Sequence, residues 1–209
     1  METVLGRACA QGLVPVAVIE DGAAAVLLGR ALAAAGGRVV EVTFRTVAAE
    51  RAIAELVEQG LLLVGAGTVV RPEQVDAARA AGARFIVSPG FDVRVVERCR
   101  ELALPVVPGV ASASEIMAAL AAGLSLVKLF PAEPLGGLAL LRALHAPFPD
   151  VRFIPTGGLT AENAPGYLRL PYVAAIGGSW MLAPSLIAAG DFDQITRLTA
   201  DALALTGPR

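Results

Sequence analysis

The chain has 209 residues, of which 56% are hydrophobic and 17% charged, with a formal net charge of −2. That length fits one large domain, and the composition provides a substantial core and argues against disorder. The charge balance leaves no basic footprint for nucleic acid and no polybasic membrane anchor, and a single histidine, His145, all but excludes a His-based metal site or a Ser-His triad.

Residues 2–11 suggest an extra N-terminal helix. The start, Met1 to Arg7, lacks the basic segment and long apolar core of a signal peptide. Strand-type runs then alternate with helical ones. The strand candidates are 14–19, 38–44, 61–66, 84–88, 105–108, 125–130, 151–155 and 172–177. They are short, rich in Val, Leu, Ile and Phe, and mostly apolar throughout, as parallel strands covered on both faces should be. Between them, 21–35 ends at Gly36-Gly37 and Thr46 to Gln59 ends at Gly60, both suited to helix C-termini. Arg71-Pro72 opens a further helix. Another covers 92–102 with Val95, Val96 and Cys99 on its apolar side, and Ser112 to Glu115 forms a capping box for one ending near Gly123. Helices are also predicted over 137–145, 161–169 (interrupted by Pro165) and 192–205.

Eight strand-helix units in series point to an α/β protein, a single (β/α)8 TIM barrel over 1–209 with a short extra N-terminal helix. An open doubly wound sheet is the rival, but no G-x-G-x-x-G follows the first strand. Apolar runs stop short of the roughly 18 residues of a spanning segment. Cys9 and Cys99 are too few for a disulfide framework and are read as reduced, cytosolic thiols.

A barrel places its active site at the C-terminal ends of its strands, and the unusual residues gather there. In the second strand the two-residue alternation puts Glu41, Thr43 and Arg45 on one face, with Val40, Val42 and Phe44 on the other. Glu41 and Arg45 are either a functional carboxylate and guanidinium in the barrel mouth or a buried structural ion pair. The third strand runs into Gly65-Ala66-Gly67-Thr68. Ser88-Pro89-Gly90 and Pro108-Gly109 are turn punctuation. Pro155-Thr156-Gly157-Gly158 and Gly177-Gly178-Ser179-Trp180 place paired glycines after the last two strands, where barrels commonly bind phosphate on bare backbone N–H groups. Lys128, in Ser125-Leu-Val-Lys-Leu-Phe-Pro-Ala-Glu133, is the only lysine; the other sixteen basic residues are arginine. Arginine serves as a surface cation but cannot lose its proton and attack a carbonyl. Lys128 is thus either a nucleophile or a partly exposed strand lysine. His145 is placed at a helix C-terminus, Cys99 in the core, Trp180 and Met181 in the core or a subunit contact, and Glu133 as a cap or structural partner.

These motifs, taken together and in order, resemble the 2-keto-3-deoxy-6-phosphogluconate aldolases, many of which also cleave 4-hydroxy-2-oxoglutarate. The resemblance spans nearly the whole chain: VEVTFRT (40–46), GAGT (65–68), SPG (88–90), VPG (107–109), KLFPAE (128–133), PTGG (155–158) and GGSW (177–180). It implies a class I aldolase needing no metal or cofactor, cytoplasmic and usually homotrimeric, acting on a phosphorylated 2-keto acid of the Entner-Doudoroff pathway, with no nucleic-acid or membrane partner. By matching motif, Lys128 is the Schiff-base lysine and Glu41 the general acid/base. Arg45 and Thr68 hold the pyruvate carboxylate, Thr156 binds substrate, and Gly157, Gly158, Gly178 and Ser179 form the phosphate end. Leu129 stands where some members have a second phenylalanine. The related phosphogalactonate aldolases carry a Pro-Leu-x-Ser-Pro pattern after the strand-two glutamate, and Thr43-Phe44-Arg45-Thr46 favours the gluconate type. The alternatives are a phosphosugar isomerase or epimerase on the same barrel and a non-catalytic phosphosugar-binding protein.

Overall fold

The structure is a computed structural model describing residues 3–207. Strands β1 (Leu13–Ala17), β2 (Val39–Thr43), β3 (Leu63–Gly67), β4 (Phe85–Val87) and β5 (Val106–Val107) alternate with α2 (Ala23–Ala34), α3 (Ala49–Gln59), α4 (Pro72–Ala80) and α5 (Val93–Glu101). The second half holds β6 (Gly109–Val110), α6 (Ala113–Ala121), β7 (Leu126–Leu129), α7 (Gly137–His145), β8 (Arg152–Pro155), α8 (Ala164–Leu168) and β9 (Ile176–Gly178). Helices α9 (Pro184–Ala189) and α10 (Phe192–Ala204) close the chain, and α1 (Val4–Cys9), capped by the Thr3 hydroxyl, precedes β1. The strand pairings are parallel. One sheet has the order β5-β4-β3-β2-β1-β9 and a second β6-β7-β8, with single bridges Phe153–Val173 and Thr156–Gly177 beyond them. This is an α/β fold built on parallel strands, as the strand-helix alternation predicts.

Strand alternation sorts the core into two files. Val40, Val42, Val64, Ala66, Ile86, Val106, Val127, Leu129 and Phe153 face the helices in one apolar cluster. Their neighbours Val14, Val39, Leu63, Phe85, Val87, Val107 and Ile154 face the other way and pack with Ala8 and Cys9 of α1. The extra helix therefore buries the N-terminal end of the inner file and leaves its C-terminal end free for polar groups. Cys99 is fully buried in the outer cluster, where burial pushes its thiol up to about 12.

Several boundaries differ from expectation for local reasons. The predicted fifth strand is split because Pro108, lacking an N–H, cannot donate to the ladder; its carbonyl still accepts from the Lys128 N–H at 2.8 Å. Leu61 and Leu62 stay outside β3, after a left-handed Gly60. α3 starts at Ala49, since the Thr46 hydroxyl donates to the Ile19 carbonyl at 2.6 Å. The last strand is shorter than 172–177: Val173 turns back, its N–H donating to the Leu170 carbonyl at 3.0 Å. Pro165 does not interrupt a helix over 161–169; it sits in the first turn of α8, where its missing donor costs nothing. α9 was not anticipated, although Pro184 at its first turn and Gly190, with φ +69°, just past its end are the usual signals. The N-terminal helix is shorter than 2–11, and Met1, Glu2, Pro208 and Arg209 lie outside the described residues.

Candidate active site

Along the inner file, the layer above the apolar base turns polar. Glu41 follows Val39 on β2, Lys128 follows Leu126 on β7, and Thr156 follows Ile154 beyond β8. Register places Glu41 beside Val16 and Gly65, and Lys128 between Gly109 and Ile154. Glu41 and Lys128, 87 positions apart in the chain, meet directly: Lys128 Nζ donates to Glu41 Oε1 at 3.1 Å, with side chains 6% and 4% exposed. The ammonium also stands 5.3 Å from the centroid of the Phe130 ring, within reach of a cation–π attraction. Burying either charge alone would be costly, and pairing offsets that cost.

Glycine makes the room for this pair. A Cβ at Gly67 would lie 2.1 Å from Glu41 Oε1 and 2.5 Å from its Cγ, and one at Gly177 would lie 2.2 Å from Thr156 Oγ1. Gly67→Ala should therefore displace the whole Glu41 side chain and destabilise the protein by about 1–3 kcal/mol. Denaturant unfolding reads this directly; an unchanged midpoint would contradict it.

The pair forms the floor of a cavity of about 460 Å³ at the C-terminal ends of the strands. All nine site residues anticipated from sequence line it: Glu41, Arg45, Thr68, Lys128, Thr156, Gly157, Gly158, Gly178 and Ser179. Arg45 has no ion-pair partner among the described residues, so the Glu41–Arg45 structural pair is not formed; Glu41 is taken by Lys128. Thr43 shares their face but spends its hydroxyl on the Ala17 carbonyl at 3.1 Å. Thr68 has φ +57°, unusual for a β-branched residue, a conformation costing about 1–3 kcal/mol that clusters at functional sites. Gly157 and Gly158, with φ +98° and +78°, adopt backbone that glycine tolerates. Among the described residues no three His, Cys, Asp or Glu side chains gather as a metal-ligand set. A more open groove of about 710 Å³ beside α1 contains the exposed Arg152 and Arg169 but no facing acid-base pair.

This constellation can be set against known proteins. The family model described as KDPG and KHG aldolase matches residues 6–198. The chain belongs to that family. It is 50% identical over 196 residues to the 2-dehydro-3-deoxy-phosphogluconate aldolase of Treponema pallidum, covering 93% of each chain. Two solved relatives, each 40% identical, superpose closely. A KDPG aldolase from Legionella pneumophila with pyruvate captured as a covalent carbinolamine has a TM-score of 0.92, covering 97% of this chain and 99% of that one. The 2-keto-3-deoxy-6-phosphogluconate aldolase of Zymomonas mobilis ZM4, with 3-phosphoglycerate, has a TM-score of 0.91, covering 98% and 97%.

The cavity also holds residues that sequence reasoning passed over. Phe130 and Pro89 line it, and so do Val16, Val18 and Leu159. Phe130 had a signal: two positions after Lys128, it shares that residue's side of the chain. Val16 and Val18 had none, because an apolar wall and an apolar core look alike in sequence. Among the residues given a bland role, His145 ends α7 and stacks on Tyr172 with ring centroids 3.6 Å apart, and Met181 is fully buried. Glu133 accepts a short hydrogen bond from the Tyr167 hydroxyl.

Proposed function

We propose that this protein is a class I aldolase, cleaving 2-keto-3-deoxy-6-phosphogluconate to pyruvate and glyceraldehyde 3-phosphate, and 4-hydroxy-2-oxoglutarate to pyruvate and glyoxylate. The observation that carries it is the buried Lys128–Glu41 contact at 3.1 Å on the floor of a cavity. A primary amine and a carboxylate in direct contact are the nucleophile and proton carrier this reaction requires. The carbinolamine held by the Legionella relative is the adduct an amine forms with a ketone, which supports the same chemistry here.

The steps derive from the pair. Glu41 takes a proton from the Lys128 ammonium, and the amine lone pair attacks the substrate C2 carbonyl. Proton return to the former carbonyl oxygen and loss of water leave a protonated imine. Glu41, again a carboxylate, removes the proton of the C4 hydroxyl; the C3–C4 bond breaks, its electrons pass into the imine, and the aldehyde leaves. Glu41 then protonates the enamine at C3. Water adds to C2 and the Lys128–C2 bond breaks, releasing pyruvate. The water lost in forming the imine is recovered in its hydrolysis, so the cycle balances.

In this assignment Arg45 and the Thr68 hydroxyl bind the pyruvate carboxylate, a charge-assisted arrangement supported by the absence of a competing carboxylate on Arg45 among the described residues. Thr156 binds the body of the substrate. Backbone N–H groups at Gly157, Gly158 and Gly178, with the Ser179 hydroxyl, take the phosphate. The strands are assigned to one closed (β/α)8 barrel forming a single domain. Continuity of β5 and β6 across Pro108 and the Thr156–Gly177 bridge support that closure. Family membership likewise supports a cytoplasmic homotrimer serving the Entner-Doudoroff pathway.

Coupling pyruvate release to lactate dehydrogenase tests the activity. One pyruvate per 2-keto-3-deoxy-6-phosphogluconate is expected, with kcat/KM about tenfold or more above that for 4-hydroxy-2-oxoglutarate, since tenfold corresponds to about 1.4 kcal/mol of phosphate contact. A product with its carbon chain intact would mark an isomerase or epimerase. Binding without turnover would mark a phosphosugar-binding protein.

A further inference from the structure

The Gly157-Gly158 cradle has no side chains of its own, so something else must hold its backbone in shape. Three hydrogen bonds do part of this. The Ala132 N–H donates to the Thr156 carbonyl at 2.8 Å, the Glu133 N–H to the Gly157 carbonyl at 3.1 Å, and Asn163 Nδ2 to the Gly158 carbonyl at 3.1 Å. Glu133 also lies directly under the cradle: a Cβ on Gly158 would come within 2.7 Å of Glu133 Cβ.

The carboxylate of Glu133 is aimed away from the cavity. Its Oε1 accepts from the hydroxyl of Tyr167, a fully buried residue of α8. Burial and the Glu133 carboxylate both push the Tyr167 phenol upward, so it remains the donor. Space for the contact is reserved by Gly137, where a Cβ would lie 2.9 Å from Glu133 Oε1 and 3.1 Å from the Tyr167 hydroxyl. Asn163 immediately precedes the first residue of α8 and Tyr167 is four residues on, a spacing that places both on the same side of the helix. α8 therefore grips the loop twice, through the Gly158 carbonyl and through Glu133.

We propose that Tyr167 and Glu133 are positioning residues, a strut outside the cavity that sets the N–H groups of Gly157 and Gly158 and thereby the preference for a phosphorylated over an unphosphorylated 2-keto acid. This rests on the assignment of that loop as the phosphate end. Neither side chain touches substrate. Their effect falls on the cradle because Glu133, four residues past the end of the Lys128 strand, hydrogen-bonds the Gly157 carbonyl and packs against Gly158. Donors that must converge on one anion lose effectiveness with sub-ångström displacement.

Tyr167→Phe removes only the hydroxyl and retains the ring. Steady-state kinetics on both substrates should show the ratio of kcat/KM, phosphorylated over unphosphorylated, falling about tenfold, mainly through a raised KM for the phosphorylated substrate. Glu133→Gln, which keeps an acceptor oxygen for the hydroxyl, should hold the ratio within about threefold of wild type. If Tyr167→Phe does not fold, Glu133→Leu carries the same tenfold expectation. Equal losses on both substrates, or an unchanged ratio, would overturn the strut while leaving the phosphate assignment standing. A wild-type enzyme without preference for the phosphorylated substrate would overturn that assignment and the strut with it.

Discussion

Lys128→Met should lower kcat for pyruvate release by at least about 10⁴-fold, since loss of a covalent nucleophile removes the reaction path itself rather than one contact along it. Methionine matches the length and most of the volume of lysine, so the pocket is preserved while the amine is lost. Borohydride added with pyruvate should attach one three-carbon adduct to the wild-type peptide containing Lys128 and none to that peptide in the variant. The peptide map is simple, because Lys128 is the only lysine in the chain. An active wild-type preparation with unmodified Lys128 would remove the Schiff-base assignment. The variant also leaves Glu41 buried without its partner, a loss of about 3–5 kcal/mol if the carboxylate stays charged. Lys128→Met combined with Glu41→Gln should recover much of that stability, because a pair replaced by neutral groups leaves no unpaired charge.

Glu41→Gln should separate imine formation from carbon–carbon cleavage. The amide retains the shape of the carboxylate but carries no proton between substrate atoms, and removal of a general acid/base costs about 10²–10⁴-fold. Pyruvate should still be trapped on Lys128 by borohydride, more slowly because Glu41 also takes the ammonium proton, while kcat for cleavage falls in that range. Turnover close to wild type would assign proton transfer to another group, because Glu41 Oε1 is the carboxylate oxygen hydrogen-bonded to Lys128 Nζ. The two variants therefore differ in kind: one abolishes the adduct, the other slows its cleavage.

The resemblance carried by seven motifs anticipated nine residues that line the cavity, and the reason is physical. Each motif sits at a strand end, where the two-residue alternation and the turn chemistry of Gly and Pro both leave marks in one short stretch. The helices were legible where apolar spacing and a glycine stop agreed, as in α3. The helix over 161–169 was misjudged because Pro165 was taken as a break rather than as a first-turn residue, and α9, opened by Pro184, was not anticipated. The supporting contact between Tyr167 and Glu133 was not legible, because a buried tyrosine on a short helix looks like core until its hydroxyl is placed.

By itself the sequence determined the alternation of parallel strands and helices, the division of the second strand into a helix-facing and an inner file, and the single side-chain amine available for carbonyl chemistry. Those are local properties, written in periodicity and in residue type. Only the tertiary structure decided which charge Glu41 meets. Spacing along β2 offered Arg45; packing across the strands supplied Lys128 at 3.1 Å, buried where an unpaired carboxylate would be costly. It also decided that Gly67 and Gly177 are there to leave space for Glu41 and Thr156. Contacts between residues 87 positions apart depend on register between strands that no local pattern encodes, and that register brings Lys128 and Glu41 together.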